Sequence, residues 1–374
     1  MRLYQAGAEG LAASFPPPRG QAPLAEAAEV ALAPPPWRRR SVLAAAALVL
    51  GVLIAAAVFT MTRDSTGGLG GVRPNHVGII DPKTNEIVAE IQVGTRPGPV
   101  AVGGGSVWVG NLDERTLTRI DSKRRAPAGT IALERRTPTG VVVGAGMVWV
   151  AHGALGKLSR VDPQFGEVSA PIDVAGEALG SVNGAVTYGA GAVWAVYGDS
   201  TLARIDPSAG KVSARTFTGA DPAGVAVESG YVWVVNTDGS TVQRYQPNTF
   251  DEGPLGTPTS VGQRPTAIAA GEGAVWVANT GSDTVTRVDP GTPPTTDGIP
   301  VGDAPVAVAV AVAVAVAVAV AVGAGAVWVA NAGAGTVSRI DPASYEVVET
   351  IELGNAPSGI AVGEGAVWVS VQSP

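Results

Sequence analysis

The sequence predicts an all-β protein: a seven-bladed β-propeller closed by pairing its N-terminal C and D strands with its C-terminal A and B strands, preceded by one transmembrane helix. Three observations carry this reading. First, seven of the eight tryptophans fall in one repeated stroke, at Trp108, Trp149, Trp194, Trp233, Trp276, Trp328 and Trp368. Their spacings are 41, 45, 39, 43, 52 and 40 residues, and a period near 40 with about four strands per unit marks propeller blades. Second, Gly (50) and Pro (29) are abundant in the 374 residues while charged residues are only 15%, as expected of short strands joined by turns. Third, the chain enters its repeats at a C strand and leaves them at a B strand.

In chain order, residues 1–40 read as a disordered, Ala/Pro-rich cytoplasmic tail. Such a composition cannot bury a core. Residues 41–62 read as a transmembrane signal-anchor helix. Ser41 to Thr60 carries no charge over 20 residues, enough to span about 30 Å of hydrocarbon. Trp37 and Arg38-Arg39-Arg40 precede it, which places the N-terminus in the cytoplasm and the propeller outside. A cleaved signal peptide, read from Arg39-Arg40 and Ala55-Ala56-Ala57, is the alternative and gives a secreted protein. Residues 63–73 are a linker, and residues 74–374 are the propeller.

One blade reads in four strokes. Strand A follows P-x-G-I-A-V-G, as at Pro357 to Gly363. Strand B is V-W-V. Strand C ends in close copies of R-I-D-P at Arg119, Arg160, Arg204, Arg287 and Arg339, with Arg244-Tyr245-Gln246-Pro247 as a drifted copy. Strand D is exemplified by Glu346 to Gly354. Asp-Pro starts the C–D turn, because Pro presets φ and Asp bonds the backbone ahead. The first C and D strokes, from Val77 and Glu86, join the last A and B strokes to make the seventh blade, which leaves no unpaired edge. The tract at 306–322 is strict Val-Ala alternation within blade 6. It exceeds a normal strand A by twelve residues, and removing twelve restores a 40-residue spacing. Because the insertion is even, any window of it keeps the face identity of a strand.

The repeat V-W-V-A-N…T-V-S-R-I-D-P…V-V-x-T-I-x-V-G resembles the YVTN-type β-propeller repeat and is similar to the repeats of streptogramin lyases, over about residues 74–371. The resemblance implies a propeller scaffold. Its lyase branch implies a histidine acting with glutamates and a divalent metal. Only two histidines exist here, His76 and His152, and Pro74 and Val150 stand two residues before them rather than Glu.

The repeated tryptophans are expected to be inter-blade core. The Arg and Asp of R-x-D share one strand face and are expected to form a ring of structural ion pairs. Asparagines end strand B at Asn111, Asn236, Asn279 and Asn331, where Asn is expected to bond its own backbone. The B–C and D–A loops share one end of a propeller. The D–A loops add Arg96, Arg135, Arg136, Glu177, Asp221, Arg264, Asp303 and Asn355 to that end, and His152 replaces the Asn of blade 2. Loops that vary on a uniform scaffold are where a binding site is written. The residues therefore favour an extracytoplasmic binding or sensor module, taking a small molecule or protein at the B–C/D–A face. A metal-dependent lyase using His152 as base is the alternative.

Several classes are excluded. With no cysteine, disulfides, thiolate metal sites and Cys nucleophiles are out. The net charge is -7, and residues 1–40 hold five Arg against three Glu, which leaves -9 for the rest. An acidic body without a basic face argues against nucleic acid. No phosphate loop, nucleophile elbow or metal-ligand spacing is present. No cofactor and no metal site is expected.

Overall fold

Strand B explains the architecture from its residues. Val107 and Val109 point to one face and Trp108 to the other, and all three are fully buried. A strand buried on both faces must lie between two neighbours. The tryptophan of each blade packs against the paired strand-B residues of the next: Trp108 on Val148 and Val150, Trp276 on Val327 and Val329, and Trp368 on Val107 and Val109. Seven such clusters, one per blade interface, form the core. The repeated tryptophans are thus core. Emptying one such site costs about 3–5 kcal/mol.

The computed structural model describes residues 68–175, 184–291, 295–311 and 325–373. These form seven four-stranded antiparallel sheets, each ordered A-B-C-D outward from the axis. Blade 1 is Pro97–Gly103, Ser106–Asn111, Thr116–Asp121 and Ala126–Ala132. Blade 7 is Pro357–Gly363, Ala366–Val371, His76–Asp81 and Glu86–Gln92. In blade 7, Val77 pairs with Ser370 and Ile79 with Trp368, so the two ends of the chain share one sheet. The A strands touch in an unbroken circle. The expected seven-bladed closed ring is therefore what forms. Among the described residues no helix is long and apolar enough to cross a membrane. The tail at 1–40, the anchor at 41–62 and the linker through residue 67 lie outside the described residues.

In five of the seven blades strand A begins with Pro, which has no N–H for the ladder. The A–B register shifts just after it in blades 1, 4, 5, 6 and 7, a bulge that adds twist. In blades 1, 2, 3, 5 and 7 strand A ends in Gly, and in blades 1 and 7 the next blade crowds that position. A Cβ on Gly103 would strike Val143, and one on Gly363 would strike Val102. The same turn supplies an acceptor for the core. Trp149, Trp194, Trp276 and Trp368 each donate Nε1–H to the carbonyl of the glycine five residues earlier, at 3.1–3.2 Å.

The expected ring of R-x-D ion pairs does not form. Among the described residues the motif yields one, Arg287–Asp289. The other aspartates accept main-chain N–H groups of their own C–D turn, as Asp121 does from Lys123 and Arg124 and Asp206 from Ser208 and Ala209. These bonds hold both carboxyls below the usual range. Three of the arginines reach to the C–D turn of the following blade. Arg339 Nη1 donates to Asn85 Oδ1 (3.0 Å) and Arg244 Nη1 to the Gly291 carbonyl (2.8 Å). Arg287 stacks 4.6 Å from the centre of the Tyr345 ring. Arg is long enough to staple neighbours while its plane covers an aromatic face.

Blade 6 takes its strand A, Pro305–Ala311, from the first window of the Val-Ala tract. Pro305 pairs with Asn331 and Ala309 with Trp328, the register of Pro265 with Asn279 and Ala269 with Trp276 in blade 5. Pro305 and its bulge select this window. Residues 312–324 lie outside the described residues. Strand D shortens to Ile172–Asp173 in blade 2 and Thr259–Ser260 in blade 4; Pro171 and Pro258, just before them, remove ladder donors.

Candidate functional site

The inner A strands leave a cavity of about 780 Å³ along the axis. Its wall is apolar, built from residues such as Val100, Val141, Val186, Ile268 and Ile360. Its loop-end rim is lopsided. The B–C and D–A loops of blades 1 and 2 supply Arg96, Leu112, Arg115, Arg135, Thr137, His152 and Leu155. Three of the residues expected at the site, Arg96, Arg135 and His152, are brought together here.

The four asparagines are placed elsewhere. Asn111, Asn236, Asn279 and Asn331 are fully buried. They do not bond their own backbone as expected; each amide reaches across to strand C. Asn111 Nδ2 donates to Thr116 Oγ1 and Thr118 Oγ1 (2.9 and 2.8 Å), and its Oδ1 accepts from the Gly94 N–H. Asn279 uses Thr284 and Thr286, and Asn331 uses Thr336 and Ser338. Asn236 donates weakly to Gln243 Oε1 at 3.4 Å. A buried amide must find partners, and strand C supplies acceptors for its N–H groups, a hydroxyl for Asn111, Asn279 and Asn331 and the Gln243 amide for Asn236. These asparagines pin the B–C hairpin.

His152 does the same work with a different ring. It is 1% exposed. Its Nδ1 lies 3.1 Å from the Thr137 carbonyl and its Nε2 2.9 Å from Ser159 Oγ. A carbonyl only accepts, so Nδ1 carries the proton and Nε2 accepts from the Ser159 hydroxyl. Ser159 lies seven residues on, the offset of Thr118 from Asn111. Burial pushes the imidazole down to about 4, and the nearby Arg136 charge adds to the fall. Near neutral pH the ring is uncharged with both nitrogens engaged. Among the described residues no three His, Asp or Glu side chains gather as metal ligands, and none of the residues lining the cavity is a carboxylate. This donor set does not fit the divalent metal that a lyase reading implies.

The D–A loops share a second device. Arg96, Asp221 and Arg264, each just before Pro, hold φ near +50°, a region uncommon for non-glycine residues. In exchange their carbonyls accept the first B–C N–H: Leu112 to Arg96, Thr237 to Asp221 and Thr280 to Arg264, at 2.9–3.1 Å. Asp303 is exposed, and its carbonyl accepts from Gly333 and Ala334. Asn355 Nδ2 donates to the Val72 carbonyl at 2.9 Å and ties down the leading segment. Arg136 is 9% exposed and paired to Glu134 at 2.8 Å. Asp221, Arg264, Asp303 and Asn355 do not line the cavity, and Glu177 lies outside the described residues.

Arg115 was not legible as a site residue. It sits in the B–C turn of blade 1, at φ 56°, where blades 3 and 4 carry Ser200 and Ser240 in the same conformation. Its cationic replacement of a small turn residue was the available signal.

Fold and site together define the class: a closed seven-bladed β-propeller whose repeat breaks, at the loops of blades 1 and 2, beside an axial cavity. No protein-family model matches the chain, and no curated protein matches it. Among solved structures, "Kuenenia stuttgartiensis Hydrazine Synthase" shares the fold with a TM-score of 0.58 and 13% identity, over 71% of this chain and 89% of that one. At that identity the likeness shows the fold alone.

Proposed function

We propose that this chain is a membrane-anchored, extracytoplasmic β-propeller that binds a small molecule at the loop end of its channel, as a binding or sensor module. The supporting observation is the lopsided rim. The strands repeat around the ring, whereas Arg96, Arg115, Arg135 and His152 gather on one arc of the cavity. Deep apolar cavities with a few polar groups at one end suit small-molecule ligands. The YVTN-type resemblance of the repeat supports a scaffold role for the blades. The uncharged stretch Ser41–Thr60 behind Arg38-Arg39-Arg40 supports the anchor and its orientation.

Two measurements test this. Native mass spectrometry of the full chain, purified from membranes, should show a retained ligand in the wild type and its loss in Ala154→Trp, a bulky plug at the rim. Retention untouched by the plug would refute binding at this end. Alkaline extraction should leave the chain in the membrane pellet, with the propeller open to protease added from outside. Release into the soluble fraction would refute the anchor.

A further inference from the structure

Among the described residues, the ionisable ones that line the cavity are Arg96, Arg115, Arg135 and His152, with no carboxylate among them. This is the reverse of the chain as a whole, whose net charge is -7. The three arginines stand on successive loops that main-chain bonds clasp together. The Leu112 N–H donates to the Arg96 carbonyl and the Leu133 N–H to the Arg115 carbonyl, both at 3.0 Å. That fixes the D–A loop of blade 1 to its B–C loop, and that loop to the D–A loop of blade 2. The arc is therefore preorganised, which lowers the cost of binding.

The charges are available. Arg96 has one ion pair, to Asp113 at 3.2 Å, with both side chains about half exposed (52% and 51%). Such a contact is weak and exchangeable. Glu114, the other nearby acid, accepts from the Thr95 N–H and hydroxyl. Among the described residues neither Arg115 nor Arg135 forms an ion pair. Behind them Arg136 is nearly buried, and its Nε has no hydrogen-bond partner. His152, neutral and fully engaged, adds no charge and no free acceptor.

Resting on the channel-binding reading above, we propose that the ligand is an amphipathic anion: an oxyanion head, carboxylate or phosphate monoester, held by Arg96, Arg115 and Arg135, with an apolar body in the channel. Guanidinium groups match both heads with paired N–H donors. The Val and Ile wall below the rim takes a hydrocarbon or aromatic body and offers it no charge.

The test uses the full chain in lipid nanodiscs and three probes of one shape: 4-phenylbutyrate, 4-phenylbutyl phosphate and the neutral 4-phenylbutan-1-ol. Isothermal titration should show at least one anion binding about tenfold or more tightly than the alcohol. The preference should weaken as salt rises. The two anions ranked against each other identify the head group. R115Q/R135Q should lose about tenfold for the preferred anion and little for the alcohol. R124Q/R125Q, at the C–D turn of the opposite end, should change neither. All these side chains are exposed, so unchanged thermal melts will certify folding. Equal binding of alcohol and anions, or indifference to R115Q/R135Q, overturns the anion assignment and leaves the cavity reading intact. No binding of either anion also overturns it. The cavity reading falls separately, if the rim plug Ala154→Trp fails to displace the retained ligand.

Discussion

At the scale of residues, His152 shows how one substitution inside a repeat stays structural. It makes the bond to strand C that Asn111, Asn279 and Asn331 make in their blades. Its imidazole falls from 6.5 to about 4, and a folded-state value that low has a sign. Below pH 6.5 the unfolded chain binds a proton that the folded chain refuses. The stability this ring contributes is therefore complete above about 6.5 and declines by roughly 1.4 kcal/mol per pH unit toward pH 4. His152→Asn, the residue used by other blades, should remove that slope. Urea unfolding at pH 7 and pH 4.5 should show the variant losing roughly 2–3 kcal/mol less than the wild type on acidification. Parallel pH profiles would mean the ring is not buried neutral. The position was legible from the sequence, because His stands where the repeat has Asn. Its burial was not, because Asn or His before a turn reads as a solvent-facing residue until strand C is seen to supply Thr118 or Ser159.

At the scale of elements, the strands were legible because burial imposes their pattern. V-W-V alternates only if both faces are covered, and Pro and Gly bracket strand A for reasons of ladder and close approach. The reach of a long side chain was less legible. Arg and Asp two apart share a face, so an ion pair within the motif was the natural expectation. Yet the turn offers Asp its own N–H groups, and the next blade offers Arg a carbonyl, an amide or a ring. The same blindness hid Arg115, whose importance lies in which loop it faces. Blade 6 allows a clean test. Pro305 sets the strand-A register from the start of the Val-Ala tract. Deleting residues 311–322 joins Val310 to Gly323 and recreates the Pro-to-Gly spacing of Pro357 to Gly363. It also brings Gly323 to the place where other blades supply the tryptophan's acceptor, which Trp328 Nε1 lacks among the described residues. The deletion should leave the circular-dichroism spectrum unchanged, keep or raise the melting temperature, and reduce aggregation of a β-prone, uncharged run. Insoluble or unfolded protein would show that the extra residues are integral to the blade.

At the scale of the whole molecule, the channel exists only if the ring closes, and closure rests on residues nearly three hundred apart in sequence. His76–Asp81 lies between Glu86–Gln92 and Ala366–Val371 in one sheet. Without that pairing each end would expose an unpaired edge, and the blade 7–blade 1 interface, with Trp368 on Val107 and Val109, would be lost. The loop arc of blades 1 and 2 would lose its adjoining wall, since Ser358, Gly359 and Ile360 of blade 7, next to blade 1, line the same cavity. The chain has no cysteine, so an engineered pair reports on closure without interference. Val77→Cys with Ser370→Cys places the two thiols on directly paired residues of neighbouring strands, a separation a disulfide spans. A closed ring should give an intramolecular disulfide formed in air, a monomer that migrates faster without reductant, and a raised melting temperature. Free thiols, or bridges only between chains, would show that the two ends do not meet and that the ring does not close.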